Sequence, residues 1–194
     1  MESAKVKELR HALKEWAIAV EALSAGKTIV LLRKGGIREA GFKVKYPVVW
    51  LYPTYEHQKP HLLKPEYASE VIPVESGWHP HTVTIKSCAE VTNVLPLSSR
   101  KQIEALQPYH IWNEQAIDER LKWTPQQPIM VLLLKVYRLR VPQTIPYDDA
   151  YGGCKSWIDL LEPLPTQELI PAIENQQYQL LVHKIKDLLE SPSV

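Results

Sequence analysis

The chain has 194 residues, of which 45% are hydrophobic and 23% charged, a balance that is typical of a globular protein and excludes a disordered or collagen-like chain. Its apolar runs, such as 29–32 and 129–134, are far shorter than the roughly 20 residues that cross a bilayer, and its two cysteines exclude a disulfide framework. The net charge is +1, but residues 1–45 carry about +5 and residues 148–194 about −5. We therefore expect a single soluble, cytoplasmic domain with no membrane segment.

The first 52 residues predict a helix followed by a β-hairpin. Gly26 is placed to end the helix, Thr28–Arg33 reads as a buried strand, Gly35 and Gly36 as a turn, and Phe42–Tyr52 as a second strand. The helix is predicted over about 4–25, because six apolar residues recur at steps of three and four: Val6, Leu9, Leu13, Trp16, Val20 and Leu23.

The rest of the chain predicts two further strands and several helices, after a proline-rich excursion from Pro53 to Pro80. Alternation predicts a core strand over Thr82–Leu95 with a bulge near Ser87–Glu90. The capping-box pattern of Ser99 and Gln102 predicts a short helix through Leu106. Further elements are expected as a helix over Asn113–Leu121, a strand at the centre of the sheet over Ile129–Leu139, and one or two packing helices over Pro165–Glu190.

This order of elements resembles the PUA-like barrels of the ASCH and EVE type. Trp16, Gly26, Lys27, Thr28 and Arg33 carry the resemblance, with Leu133–Pro142 as a late barrel strand. It implies an α+β fold in which a small mixed PUA-like β-barrel has an N-terminal helix and a C-terminal helical tail. Residues 1–164 would form the domain and 165–194 an extension packed on it. Such domains present a cleft for RNA, modified bases or nucleotides.

Four segments of the chain resemble a bacterial family classed as a domain of unknown function: ALKEWAIAVEAL, LLRKGGI, WLYPTYEHQ and YGGCKSW. This resemblance covers nearly the whole chain and implies no particular activity. Members of that family occur beside restriction-endonuclease-type domains, which would point toward DNA.

Basic and aromatic residues follow one another around the predicted hairpin. Lysine and arginine neutralise phosphates, and aromatic rings stack on bases for about 1–3 kcal/mol each, so this combination indicates a surface for RNA or DNA. The alternative is a solvated hairpin whose aromatic residues fill the core. The basic residues are Lys27, Arg33, Lys34, Arg38, Lys43 and Lys45, and the aromatic ones are Trp50, Tyr52 and Tyr55.

The segment Thr54–Gln58 places polar and titratable groups directly after a strand, where functional sites are often found. Glu56 or His57 would read the polar edges of a base; equally, the segment could be a turn whose side chains cap the local backbone. The predicted ligand-binding residues are Lys27, Arg33, Lys34, Trp50, Tyr52, Thr54, Tyr55, Glu56 and His57. Two rival functions remain: a small hydrolase or nuclease-associated enzyme that uses Glu56 and His57, and a protein-interaction module without a small ligand.

Other chemistry is only weakly indicated. His57, His61, His79 and His81 lack the spacing of a known metal site, so no metal and no cofactor is expected. Cys154 follows two glycines and precedes Lys155, but the sequence names no base for a catalytic thiol. A nuclease pattern of paired acids followed by Glu-x-Lys is not present in clean form. Whether the protein is an enzyme, and its oligomeric state, stay open.

Overall fold

A computed structural model describes residues 7–34 and 42–190 as a mixed α+β fold. None of the helices in these ranges is long and apolar enough to span a membrane. The strands are β1 Glu8–Trp16, β2 Val30–Arg33, β3 Val48–Thr54, β4 Thr82–Leu97, β5 Ile129–Pro146, β6 Trp157–Pro165 and β7 Leu169–Pro171. The helices are α1 Ala17–Ser24, α2 Pro65–Ala68, α3 Arg100–Ala105, α4 Glu114–Lys122 and α5 Asn175–Glu190.

The strands form one sheet in the order β2-β5-β4-β3-β1-β6, and β7 pairs with the later part of β5. β1 and β3 run parallel, with Lys14 opposite Tyr52 and Trp16 opposite Thr54. The other pairs are antiparallel. Since the carboxyl ends of β1 and β3 meet at one edge of the sheet, the polar residues that follow both strands are brought together there.

Both faces of the sheet are buried at β3. On β3, Val49 and Leu51 point into the larger core cluster, which also contains buried residues of α1, α3, α4 and α5. Trp50 and Tyr52, on the alternate positions, point into a smaller cluster with Tyr151 and residues of β4 and β6. This alternation is the two-residue period of a strand that is covered on both sides.

Helix α1 ends as the sequence predicts, at Gly26. The amide of Gly26 donates to the carbonyl of Leu23 at 3.1 Å, and that of Lys27 donates to Ala22 at 2.9 Å. These two bonds form a Schellman motif, which requires the positive φ of 71° that Gly26 adopts. At the other end of α1, the Gln58 side-chain oxygen accepts the Ile18 amide at 3.0 Å and so connects the helix to the loop after β3.

The predicted helix over 4–25 is wrong in its first part, because Glu8–Trp16 is strand β1 and the helix covers only Ala17–Ser24. β1 lies between β3 and β6. Leu13 packs in the larger cluster, whereas Leu9 and Ala12 pack in the smaller one. A strand that is buried on both faces and has an irregular register between Leu9 and His11 loses strict alternation, so its apolar spacing imitates a helix.

The predicted hairpin is also wrong. β2 pairs with β5, whereas β3 pairs with β1 and β4, so the two segments are not neighbours. The proposed turn at Gly35 and Gly36 lies outside the described residues. β5 occupies the second position in the strand order rather than the centre, and the sheet is open rather than closed into a barrel. Local sequence can predict a strand, but the partner of that strand depends on distant residues.

The later elements largely agree with the prediction. β4 and β5 form where strands are expected, and the register of their pairing shifts at Ile85/Ser87 and Val91/Asn93, on either side of the predicted bulge. Helices α3 and α4 are confirmed, although Ser99 makes no side-chain capping bond to α3, whereas the Asn113 side chain caps α4. The tail holds the short strand β7 and the single long helix α5.

Candidate functional site

A cleft of about 670 Å³ opens where the last residues of β1, β2 and β3 lie close together. Its floor is formed by the last residues of these strands, 14–16, 32–34 and 52–54. Its walls are formed by three loops, 55–57, 77–80 and 151–156, together with Tyr147 after β5 and Arg120 of α4. The site therefore joins segments that are far apart in the sequence.

The cleft is positively charged. Among the described residues that line it are five cationic side chains and two carboxylates, an excess of three positive charges. The cations are Lys14, Arg33, Lys34, Arg120 and Lys155, and the carboxylates are Glu15 and Glu56. Because a concave surface focuses the potential of its charges, this composition favours an anionic ligand.

Arg33 and Glu15 form a buried ion pair in the floor of the cleft. Arg33 Nη1 lies 2.7 Å from Glu15 Oε2, and the two side chains are only 16% and 6% exposed. The other terminal nitrogen, Nη2, donates to Ser156 Oγ at 2.7 Å. The guanidinium also lies 5.1 Å from the centre of the Phe42 ring. Arg33 is thus fixed in place and largely neutralised by its own carboxylate.

Lys14 reaches across the cleft floor and holds the loop before β6. Its ammonium donates to the carbonyls of Tyr151 at 2.5 Å and Gly153 at 2.9 Å. Burial, followed by the nearby charge of Lys155, lowers the pKa of Lys14 from its ordinary value. Lys14 therefore shapes the wall of the site and adds positive potential to it.

Among the described residues, no carboxylate forms an ion pair with Arg120, which distinguishes it from Arg33. Its guanidinium lies 4.1 Å from the centre of the Trp112 ring. Within the described ranges, no acceptor is recorded for its side-chain donors. Burial lowers the pKa of Arg120 to about 10. The negative charge of Glu15 acts to raise this pKa, and the positive charge of Arg33 acts to lower it further. The side chain stays cationic at neutral pH and faces the cleft with free donors.

Glu56 and His57 form the turn after β3. Glu56 Oε1 accepts the Gly77 amide at 2.6 Å and the Ser76 hydroxyl at 3.3 Å, and His57 Nε2 lies 3.2 Å from the same oxygen. The Gly77 hydrogen bond lowers the pKa of Glu56 from its ordinary value, with His57 contributing. A carboxylate held in this way is a weak general base and fixes the loop at 76–77 to the turn.

Aromatic rings line the outer part of the cleft. Tyr55 and Trp78 meet edge to face at 6.0 Å, and Trp78 is 45% exposed. Deeper in the site, Tyr52 packs against Tyr151 at 5.5 Å. Within the described part of the chain, the buried Tyr52 hydroxyl has no hydrogen-bond partner, and burial raises its pKa. The outer rings offer stacking surfaces, and the Tyr52 hydroxyl is a free hydrogen-bonding group at the base.

Seven of the nine binding residues expected from the sequence line this cleft: Arg33, Lys34, Tyr52, Thr54, Tyr55, Glu56 and His57. Two do not. Lys27 lies beside Glu70 at 3.5 Å and over the Tyr67 ring at 5.7 Å. Trp50 is fully buried, and its indole nitrogen donates to the Leu9 carbonyl at 2.8 Å. Neither residue can contact a ligand held in the cleft.

Several lining residues were not predicted, because they come from other segments. Arg120 belongs to a helix with no motif, and Trp78 and Tyr147 adjoin long loops. The YGGCKSW segment carries the family resemblance and a thiol but no sequence signal of a binding site, yet Lys155 and the exposed Cys154 both line the cleft. In the described residues, no three histidine, cysteine or acidic side chains cluster closely enough to hold a metal ion.

A family model matches residues 12–184, and its description is "Domain of unknown function (DUF1802)". The chain belongs to the DUF1802 family. The four segments that carried the family resemblance in the sequence lie wholly within this match, and each of them contributes residues to the lining of the cleft. No curated protein matches this DUF1802 chain.

Among solved structures, the DUF1802 chain is similar to an ASCH protein from Zymomonas mobilis, with 16% identity and a TM-score of 0.43 over 89% of this chain and 93% of that one. A serine-to-alanine mutant of the same Zymomonas mobilis protein gives 16% identity and a TM-score of 0.41 over 90% of this chain and 94% of that one. A tyrosine-to-phenylalanine mutant of that protein gives 15% identity and a TM-score of 0.40 over 89% of this chain and 96% of that one. The ASCH class is also the one that the sequence resembles.

Proposed function

We propose that the cleft binds a nucleotide unit, either free or as part of a nucleic acid. The observation that carries this proposal is the joint presence, in one concavity, of excess positive charge and of the exposed Trp78 ring beside the half-buried Tyr55 ring. The volume of about 670 Å³ lies within the usual range of small-ligand sites and suits one nucleotide. Phosphate would meet the cationic floor, and a base would meet the rings at the mouth.

The outer rings supply the stacking surface in this proposal. Trp78 is nearly half exposed, and its contact with Tyr55 is edge to face, so the face of one ring can receive a base. The sequence suggested a stacking role for Trp50. In this proposal, Tyr55 and Trp78 have that role instead. Polar groups beside these rings, on Thr54, Glu56 and His57, would contact the edges of the base.

The test is the binding of the protein to short fluorescent single- and double-stranded RNA and DNA, measured by anisotropy over a salt series. We expect binding that weakens as salt rises, because cations on the protein displace counterions from phosphates. Trp78→Ala should weaken binding by about 1–3 kcal/mol, the usual contribution of one stacked base.

Trp123→Ala is the matched control for this experiment. Trp123 is 47% exposed, close to the 45% of Trp78, but it does not line the cleft. Equal effects of the two substitutions would contradict the proposed site. Failure to bind any of the four nucleic acids, together with failure of nucleoside monophosphates to compete, would contradict the proposed function itself.

A further inference from the structure

Arg120 is the strongest unexplained group in the cleft. Its guanidinium packs on Trp112, which is 1% exposed, so the side chain cannot swing freely into solvent. The carbonyl of Arg120 accepts the ammonium of Lys34 at 2.6 Å, which holds a second cation beside it. The Arg120 side chain is half-buried, and none of its five donors has an acceptor among the described residues, so the guanidinium is available to hydrogen-bond an anion in the cleft.

The local charge indicates which anion would fit. Of the charged residues around Arg120, Arg33, Lys34 and the carboxylate of Glu15 line the cleft, whereas Glu119 does not, so the part of the cluster that faces the cleft carries about two positive charges. A phosphodiester inside a nucleic-acid strand carries one negative charge. A terminal phosphate carries about −1.5 to −2 at pH 7 and offers three acceptor oxygens.

We propose that Arg120, with Lys34 and Arg33 beside it, binds a terminal phosphate group, so that the ligand is a nucleotide monoester or a nucleic-acid end that carries a phosphate. The proposal rests on the proposed function, since it assigns the anionic part of the same ligand. Arg120 donates to the phosphate oxygens, and its planar guanidinium suits two parallel hydrogen bonds to them. Lys34 adds charge from the side.

The experiment compares single-stranded pentanucleotides that differ only at one end. Probes labelled at the 3′ end carry a 5′-phosphate, a 5′-methyl phosphate or a 5′-hydroxyl, and probes labelled at the 5′ end carry a 3′-phosphate or a 3′-hydroxyl. At least one phosphorylated probe should bind about tenfold more tightly than its hydroxyl partner, as expected for hydrogen bonds to a charged group. If the preference is at the 5′ end, methylation of that phosphate, which removes one charge, should abolish most of it.

Arg120→Gln should remove this preference, and Lys122→Gln should retain it. Lys122 lies on the same helix, is exposed and does not line the cleft, so both variants lose one charge from α4. Thermal unfolding verifies that each variant is folded. A preference that persists in folded Arg120→Gln would overturn the assignment.

The wild-type protein alone can also refute the proposal, even if Arg120→Gln does not fold. Equal affinity for phosphorylated and unphosphorylated probes at both ends would overturn the terminal-phosphate site and leave the proposed function intact. Absence of binding to every probe, phosphorylated or not, together with absence of binding to nucleoside monophosphates, would overturn both.

Discussion

Arg33 is expected to contribute to stability as much as to binding, because its charge is paired inside the floor of the cleft. In Arg33→Ala, Glu15 would remain 6% exposed and would lose its 2.7 Å partner. Breaking one side of a buried ion pair typically costs about 3–5 kcal/mol, since the remaining charge is left uncompensated. That is a large fraction of the 5–15 kcal/mol that stabilises a typical domain.

Urea unfolding measures this cost directly. With a slope of about 2 kcal/mol per molar urea, the midpoint of Arg33→Ala should fall by roughly 1.5–2.5 M. The control is Lys86→Ala, which breaks an exposed pair with Glu21 at 2.8 Å and should cost no more than about 1 kcal/mol. The double variant Glu15→Gln, Arg33→Ala should recover part of the loss, because it removes the unpaired charge.

Similar midpoints for Arg33→Ala and Lys86→Ala would refute this reasoning, because they would mean that Glu15 is not desolvated as the structure indicates. The prediction also affects the design of binding experiments. Loss of nucleic-acid binding in an Arg33 variant reports on phosphate contact only where the variant is shown to be folded.

Two further predictions concern stability. Gly26→Ala should lower the free energy of unfolding by more than the roughly 1–3 kcal/mol that backbone strain alone costs, because a Cβ would also lie 2.7 Å from the Ala172 carbonyl oxygen. Gly77→Ala, where a Cβ would have nothing within 4 Å, should show only the strain of its positive φ. Equal losses of stability for the two variants in urea unfolding would contradict this prediction. Burial lowers the pKa of His110 to about 4 from 6.5, so the unfolded state binds more protons and stability should fall by roughly 3 kcal/mol from pH 6.5 to 4. In His110→Leu, the free energy of unfolding should depend less on pH over this range. An unchanged pH dependence would mean that His110 does not cause the loss of stability.

The elements that local sequence predicted well are those with one buried face or a clear terminal signal. Gly26 ends α1 as its position suggests, and Asn113 caps α4. The sequence of β1 predicts a helix instead of a strand, because burial on both faces removes the alternation that distinguishes a strand. The partners of β2 and β3 could not be predicted, since they are set by β5 and β4, which come much later in the chain.

The candidate site was predictable only where its residues are consecutive in sequence. Thr54–His57 could be singled out because polar groups follow a strand, and the structure places them at the cleft. Arg120, Trp78 and Lys155 come from three other segments, and only the folded sheet edge brings them together. Trp50 illustrates the reverse error, because the period of a strand alone does not tell whether an aromatic ring faces a ligand or the core.

The most direct test of the central claim is to locate a bound nucleotide by photo-crosslinking. RNA and DNA pentamers that contain 4-thiouridine or 4-thiothymidine would be irradiated with the protein, and the linked peptides identified by mass spectrometry. Links are expected within 52–57, 77–80 or 151–156, or at Tyr147, which line the cleft around its aromatic rings. Links confined to the exposed face of α5 or to α3 would contradict it.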